Sequence, residues 1–277
     1  MKLLKQSTLF LLTFLLFALL IGGCSNQAKE TSPASGQEKK SITVGTSPIF
    51  KDILAATKEE FDKDGYTLNV KIFDDLVTPN IALQEGSVDV NYYQHEPYLN
   101  QFNQNKGTTL VKYGNGTLKY FMGIFSKEVS KLADLKDGAT VAIPNDPSNR
   151  VRALKVLQSN SLIKLKDDVA SPTKLDITEN KKNLQIVEMD IMKLVSSLDD
   201  VDAATINSII AVQGGVDPKT ALALEDNGES DKFAIIVAVK KGANNEKSAE
   251  RLTKALQSDR VKNLLEEKYK GAIVPLF

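Results

Sequence analysis

The segment Asn91-Tyr92-Tyr93-Gln94-His95-Glu96-Pro97-Tyr98 holds the chain's single histidine and three of its seven tyrosines. Tyrosine and histidine each join a flat apolar ring to a polar tip, which suits them to sandwich a small ligand and hydrogen-bond its head. The three tyrosines, Tyr92, Tyr93 and Tyr98, and His95 are therefore candidate ligand contacts, placed just after a strand whose carboxyl end would face a cleft. Half-buried packing, with His95 at the surface or capping a helix, explains the same residues equally well.

A second segment runs Val141-Ala142-Ile143-Pro144-Asn145-Asp146-Pro147-Ser148-Asn149 into Arg150-Val151-Arg152. Strand, polar turn and helix in that order present unpaired backbone N–H groups to an anion. An arginine in the first helical turn opposes the helix dipole, a cost that makes sense if a guest carboxylate lies between the two in a bidentate fork. Solvated arginines on a polar face are the plainer alternative. The third segment, Ala203 to Ser208, ends a buried-looking strand in Asn207, whose amide oxygen can accept from a ligand ammonium. Turn chemistry alone also explains an asparagine there.

Other chemistries lack the residues they need. The one cysteine is Cys24, so the chain beyond it has no disulfide, thiol nucleophile or cysteine metal cluster. A single histidine disfavours a zinc or copper site, and no Gly-x-Ser-x-Gly elbow or phosphate loop is present. No cofactor, metal or catalytic residue is expected. Lysine plus arginine and aspartate plus glutamate balance at 35 each, which gives no electrostatic reason to expect nucleic acid.

The elements that would position these residues alternate between strand and helix. Ile42–Thr46, Thr67–Phe73, Val88–Tyr92, Val141–Ile143, Leu184–Val187, Ala203–Ile206 and Phe233–Val239 are strand-like. Helical spacing marks Phe50, Ile53, Leu54 and Phe61 up to Gly65, then 81–84, 151–157, 192–198, 249–256 and 261–269. This alternation predicts an α/β fold with mostly parallel sheets. In the strand 67–73, Leu68, Val70 and Ile72 share one face. Two blocks emerge, one up to about Lys119 and one from about Tyr120, with Ala139–Asp146 as the first sheet strand of the second.

Ahead of both blocks, Lys2 and Lys5 precede an apolar run from Leu9 to Ile21, then Gly22-Gly23-Cys24. Such a run is short for a membrane span and fits a lipoprotein signal peptide over residues 1–24, ending at a cysteine that takes up a lipid anchor. Residues 25–40 are polar and predict a flexible tether to the membrane.

Several strings together resemble the methionine-binding lipoprotein family, the NlpA-type substrate-binding subunits of methionine ABC importers. They are Phe73-Asp74-Asp75 with Pro79-Asn80, Gln94-His95-Glu96-Pro97-Tyr98-Leu99, Ala142 through Asn149, Leu162 through Lys166, and Lys268 through Ala272. The resemblance implies a two-lobed periplasmic-binding-protein-like (type II) fold, with residues 41–119 plus 234–277 as one lobe and 120–233 as the other. It implies a monomer on the extracytoplasmic face of a membrane, delivering a ligand to an ABC permease and its ATPase without doing chemistry. Carried over residue by residue, Tyr93 packs on the ligand side chain, while His95 and Tyr98 line the pocket. Asn149 is a polar contact, Arg152 holds the carboxylate and Asn207 the polar head.

The chain departs from the family pattern at Leu76, where an aromatic is common, at Val151 in place of glycine, and at Ile209 and Ile210. Phe50 stands where histidine is usual, in a loop one residue shorter. Methionine is the leading ligand, with another apolar amino acid or a small dipeptide open. A surface lipoprotein of this fold serving adhesion or host interaction is the alternative function.

Overall fold

The computed structural model describes residues 40–277. Cys24, the leader and the tether up to residue 39 lie outside the described residues. The chain opens with β1 (Ser41–Thr46), α1 (Lys51–Lys63) and β2 (Thr67–Ile72). Helix α1 buries Ile53, Leu54, Thr57 and Phe61 on one face, and the chain leaves it through Gly65 at φ 72°. Next come α2 (Thr78–Glu85), β3 (Val90–His95), α3 (Glu96–Lys106) and the long β4 (Leu110–Tyr120). They lead into β5 (Met122–Phe125), β6 (Thr140–Pro144), α4 (Pro147–Ser159) and the small hairpin β7 (Lys164–Leu165) with β8 (Ile177–Glu179). Beyond the hairpin lie β9 (Gln185–Met189), β10 (Ala203–Asn207), α5 (Ser208–Gln213), β11 (Ala223–Leu224) and α6 (Asn227–Ser230). The chain ends in β12 (Ile235–Lys240), α7 (Glu246–Leu256), α8 (Asp259–Tyr269) and β13 (Ile273–Pro275).

Two sheets result. The first has the order β13-β4-β12-β3-β1-β2 and the second β11-β5-β10-β6-β9. Both are mixed, which corrects the expectation of mostly parallel sheets. β1 pairs in parallel with β2 and β3, and β6 with β9 and β10, whereas β12, β13, β5 and β11 add on antiparallel. The second sheet also begins earlier than Ala139, at β5. The chain passes into it at Phe121 and returns to the first sheet before β12.

Three further expectations shift. The helical spacing at 192–198 folds as two 3-10 turns, Ile191–Lys193 and Ser196–Asp199. The face of β2 carrying Val70 and Ile72 is largely exposed because β2 is an edge strand. Strand β3 runs on through His95, so Tyr93 and His95 belong to the strand and not to the loop after it.

One apolar core joins the two sheets. Val44, Ile53, Tyr92, Val237 and Leu252 share it with Ile191, Ile206 and Ile210. A second core, including Val141, Leu154, Leu157 and Ala203, packs α4 against the second sheet. Among the described residues no helix is long and apolar enough to cross a membrane.

Candidate functional site

His95 ends β3 and caps α3. Its Nδ1 accepts the Tyr98 N–H at 3.2 Å, so the ring proton belongs on Nε2, which lies 3.3 Å from Asn149 Oδ1. Burial, reinforced by the Arg152 charge, pushes the His95 pKa down to about 3, and the ring is neutral at physiological pH. Capping and pocket contact, alternatives in the sequence, coexist in one side chain.

Asn149 belongs to α4, across from β3. Its Nδ2 and backbone N–H both donate to the carboxylate of Asp146, the N-cap of that helix, at 3.0–3.1 Å. Burial raises the Asp146 carboxyl above its ordinary range, and the bonds from Asn149 and Ser148 oppose the rise. The cap places the helix start at Pro147, earlier than the hydrophobic spacing predicts. Arg152 therefore stands in the second helical turn, where the dipole conflict inferred from sequence is weaker.

The Arg152 side chain is 1 % exposed and occupied in an unforeseen way. Nε donates to Glu225 Oε2 at 2.8 Å, and Nη2 donates to Glu225 Oε1 and to the Tyr120 carbonyl. The bidentate fork expected for a guest carboxylate thus already grips Glu225. Nη1 is buried without a hydrogen-bond partner among the described residues. The guanidinium lies 4.2 Å from the Phe233 ring centre and 5.4 Å from that of Tyr120.

Tyr93 and Tyr98 meet edge to face at 6.2 Å. Both hydroxyls donate to the Leu76 carbonyl at 2.8 Å, so their polar tips hold a loop and their rings are what a guest would meet. Asn207, at the end of β10, is 1 % exposed, and its Oδ1 has no hydrogen-bond partner among the described residues.

These residues converge on a small, nearly closed cavity of about 20 Å³, the room of about one water, its walls mostly apolar with a few convergent polar groups. His95, Asn149 and Asn207 supply its polar wall, and Tyr93, Tyr98 and Tyr120 its rings. Ile49, Leu76, Ile191 and Ile210 close the apolar side. Tyr93, His95, Tyr98, Asn149 and Asn207 are brought together, while Arg152 is not itself in the wall and stands beside Tyr120 and Phe233. Glu225 and Tyr120 stand near the cavity without any local motif that marks them as site residues. The only signal for Glu225 is indirect, since a buried arginine demands an acid. Among the departures, Leu76 and Ile210 line the cavity, while Phe50 packs under it against Tyr92 at 5.5 Å.

Comparison with known proteins agrees with this architecture. The NlpA lipoprotein family model matches residues 42–277. The D-methionine-binding lipoprotein MetQ of Escherichia coli (strain K12) is 38% identical over 248 residues, covering 86% of this chain and 90% of the relative. A nutrient binding protein from Burkholderia cenocepacia, solved bound to methionine, is 37% identical with a TM-score of 0.78, covering 85% of this chain and 100% of that one. An ABC transporter periplasmic substrate-binding protein from Coxiella burnetii is also 37% identical, with a TM-score of 0.79 over 84% of this chain and 99% of that one. The match of the family model over residues 42–277, with relatives 37–38% identical along most of the chain, places this α/β chain in the NlpA lipoprotein family.

Proposed function

We propose that the chain is the lipid-anchored binding protein of an ABC importer, capturing methionine or a related apolar amino acid or small dipeptide. Two buried polar atoms of opposite character carry this reading: Asn207 Oδ1, an acceptor, and Arg152 Nη1, a donor, each without a partner among the described residues. A buried polar group left unpaired costs about 1–3 kcal/mol, and an amino acid head group answers both, its ammonium on the oxygen and its carboxylate on the nitrogen. The aliphatic wall of Ile49, Leu76, Ile191 and Ile210, with the Tyr93 ring, then suits an apolar side chain.

In this proposal residues 41–119 plus 234–277 form one lobe and 120–233 the other, hinged near Phe121 and Phe233. His95, Tyr93 and Tyr98 come from the first, and Asn149, Arg152 and Asn207 from the second. A ligand touching both favours closure, and the closed form is what a permease and its ATPase receive. Cys24 carries the lipid, and residues 25–40 tether a monomer to the extracytoplasmic face of the membrane. The ligand leaves unchanged, because neutral His95 is engaged by Tyr98 and Asn149 and has no nucleophile to activate. The names of the relatives support binding and import over catalysis.

Mass spectrometry of the small molecule that copurifies with the protein, followed by calorimetric titration, tests the reading. Methionine or a close apolar relative is expected intact. A polar sugar or a metal chelate in its place, with no heat from methionine, overturns it.

A further inference from the structure

Arg152, which stands beside the cavity wall at Tyr120, is already paired with a carboxylate of the chain itself. Glu225 engages Nε and Nη2 of Arg152 and also accepts the Met122 N–H at 2.8 Å. Both partners of the pair are almost wholly excluded from solvent. Of the other charges nearby, Arg150 pairs with Glu188, while Asp146 is hydrogen-bonded by the neutral Asn149 and Ser148 and is a constant background for every ligand and variant compared below. The Arg152–Glu225 pair therefore carries no net charge and leaves Nη1 of Arg152 as its one unpaired donor.

We propose that Glu225 is a specificity-determining residue, acting through Arg152 to make the pocket accept a zwitterion and reject the corresponding anion. The inference rests on the head-group site proposed above. A zwitterion brings one negative and one positive group, so the buried set Arg152, Glu225, carboxylate and ammonium sums to zero. A ligand lacking the ammonium leaves that set with one uncompensated negative charge in a medium of low permittivity. At the effective permittivity of a protein interior, such an imbalance a few ångströms away changes an equilibrium by at least about tenfold. Glu225 also fixes Arg152 mechanically, since its Met122 bond ties α4 to the start of β5.

The test compares two ligands, methionine and its analogue without the amino group, on wild type, Glu225→Gln, Glu225→Asp and the double variant Arg152→Gln/Glu225→Gln. Wild type is expected to prefer methionine. Glu225→Gln leaves Arg152 unbalanced and shifts the ratio of the two affinities at least about tenfold toward the anion. Glu225→Asp, which keeps the charge, and the double variant, which removes both charges, keep the wild-type preference even where overall affinity falls. If Glu225→Gln weakens both ligands by one factor, Glu225 is merely structural and the proposal fails. Should Glu225→Gln not fold, the other two variants decide, and a swing of about tenfold toward the anion in either overturns the charge argument. If wild type binds methionine not at all, the functional proposal fails instead, a result distinct from both.

Discussion

Arg152 and Glu225, 73 residues apart in sequence, meet as a two-pronged buried ion pair. Glu225 also takes the Met122 N–H, and Arg152 the Tyr120 carbonyl, so the pair clamps both sides of the crossing at Phe121. The arginine expected to grip a guest therefore also secures the place where the chain passes between sheets. The proposed ligand contact and the ion pair thus share one side chain, and substitution there is expected to affect both binding and stability.

Arg152→Ala is expected to weaken methionine binding by about thirty-fold or more, since losing one partner of a buried charged contact costs roughly 2–5 kcal/mol. The empty protein is also expected to lose about 3–5 kcal/mol, because Glu225 is left as an uncompensated buried charge. Removing a cation from the positive end of a helix would have predicted almost no loss, but the ion pair reverses that. Arg150, which pairs with Glu188 at 3.4 Å, serves as the control with nearly unchanged affinity. Titration calorimetry and denaturant melts of both variants check this, and equal affinities for the two would mean that the carboxylate site lies elsewhere.

The contrast shows what was legible in the sequence. Strands with strict alternation and helices with strong apolar faces, such as α1, α7 and α8, can be read directly. β4 cannot, because it is an eleven-residue strand with Lys112, Asn115 and Lys119 among its residues, and its long-range pairing with β12 and β13 is not visible in its own pattern. α3 is almost as opaque, with Tyr98, Leu99 and Phe102 its only buried residues. For the site, local strings bring out Tyr93, His95, Tyr98, Asn149 and Asn207. Glu225 stays hidden because its role depends on a partner far along the chain. The tyrosine hydroxyls mislead for the same reason: their acceptor is a backbone carbonyl, and no side chain type announces it.

Asn207→Ala removes a buried acceptor that bonds nothing among the described residues. Folding stability is expected to change little, within about 1 kcal/mol, since no protein hydrogen bond to that oxygen is lost. Methionine affinity is expected to fall by about tenfold or more, because the ligand ammonium would then be buried without its acceptor. Thermal melts set beside titrations separate the two effects. A large stability loss with unchanged affinity would assign Asn207 to the framework.

His95 makes acid stability a probe of the site. Its pKa is lowered from 6.5 to about 3, so below pH 6.5 the unfolded chain binds a proton that the native chain refuses. Stability therefore falls as pH drops through that window, at about 1.4 kcal/mol per unit once the unfolded form is fully protonated. Asp146, whose carboxyl is raised, acts oppositely: it loses stability as pH rises from 3.8 through its folded value. It is present in wild type and in His95→Gln alike, and cancels in their difference. That difference is expected to shift in favour of the variant by roughly 2 kcal/mol between pH 7 and pH 5. Denaturant melts at the two pH values measure it, and parallel curves would show that His95 titrates normally in the folded protein.

Tyr93 and Tyr98 test whether the polar tips serve the fold or the ligand. Both hydroxyls end on the Leu76 carbonyl, in the loop that joins β2 to α2. Asp75 braces that loop by accepting the N–H groups of Val77 and Thr78 at 2.7 Å and the Thr78 hydroxyl at 2.6 Å. Burial pulls the Asp75 carboxyl up, but these bonds outweigh it and hold the carboxyl below its usual value, so the brace persists to acid pH. Tyr93→Phe or Tyr98→Phe alone leaves Leu76 one donor, at a cost of about 1 kcal/mol. The double variant leaves it none, and its loss is expected to exceed the sum of the single ones, as for any two groups sharing a partner. Affinity falls in the same order, nearly unchanged in either single variant and reduced in the double, because Leu76 lines the apolar side only while its loop is held. Hydrogen exchange at Val77 and Thr78 reports the loop, and titration reports the pocket. If Tyr98→Phe alone abolishes binding with those amides still protected, the hydroxyl touches the ligand directly and Leu76 is not its working partner.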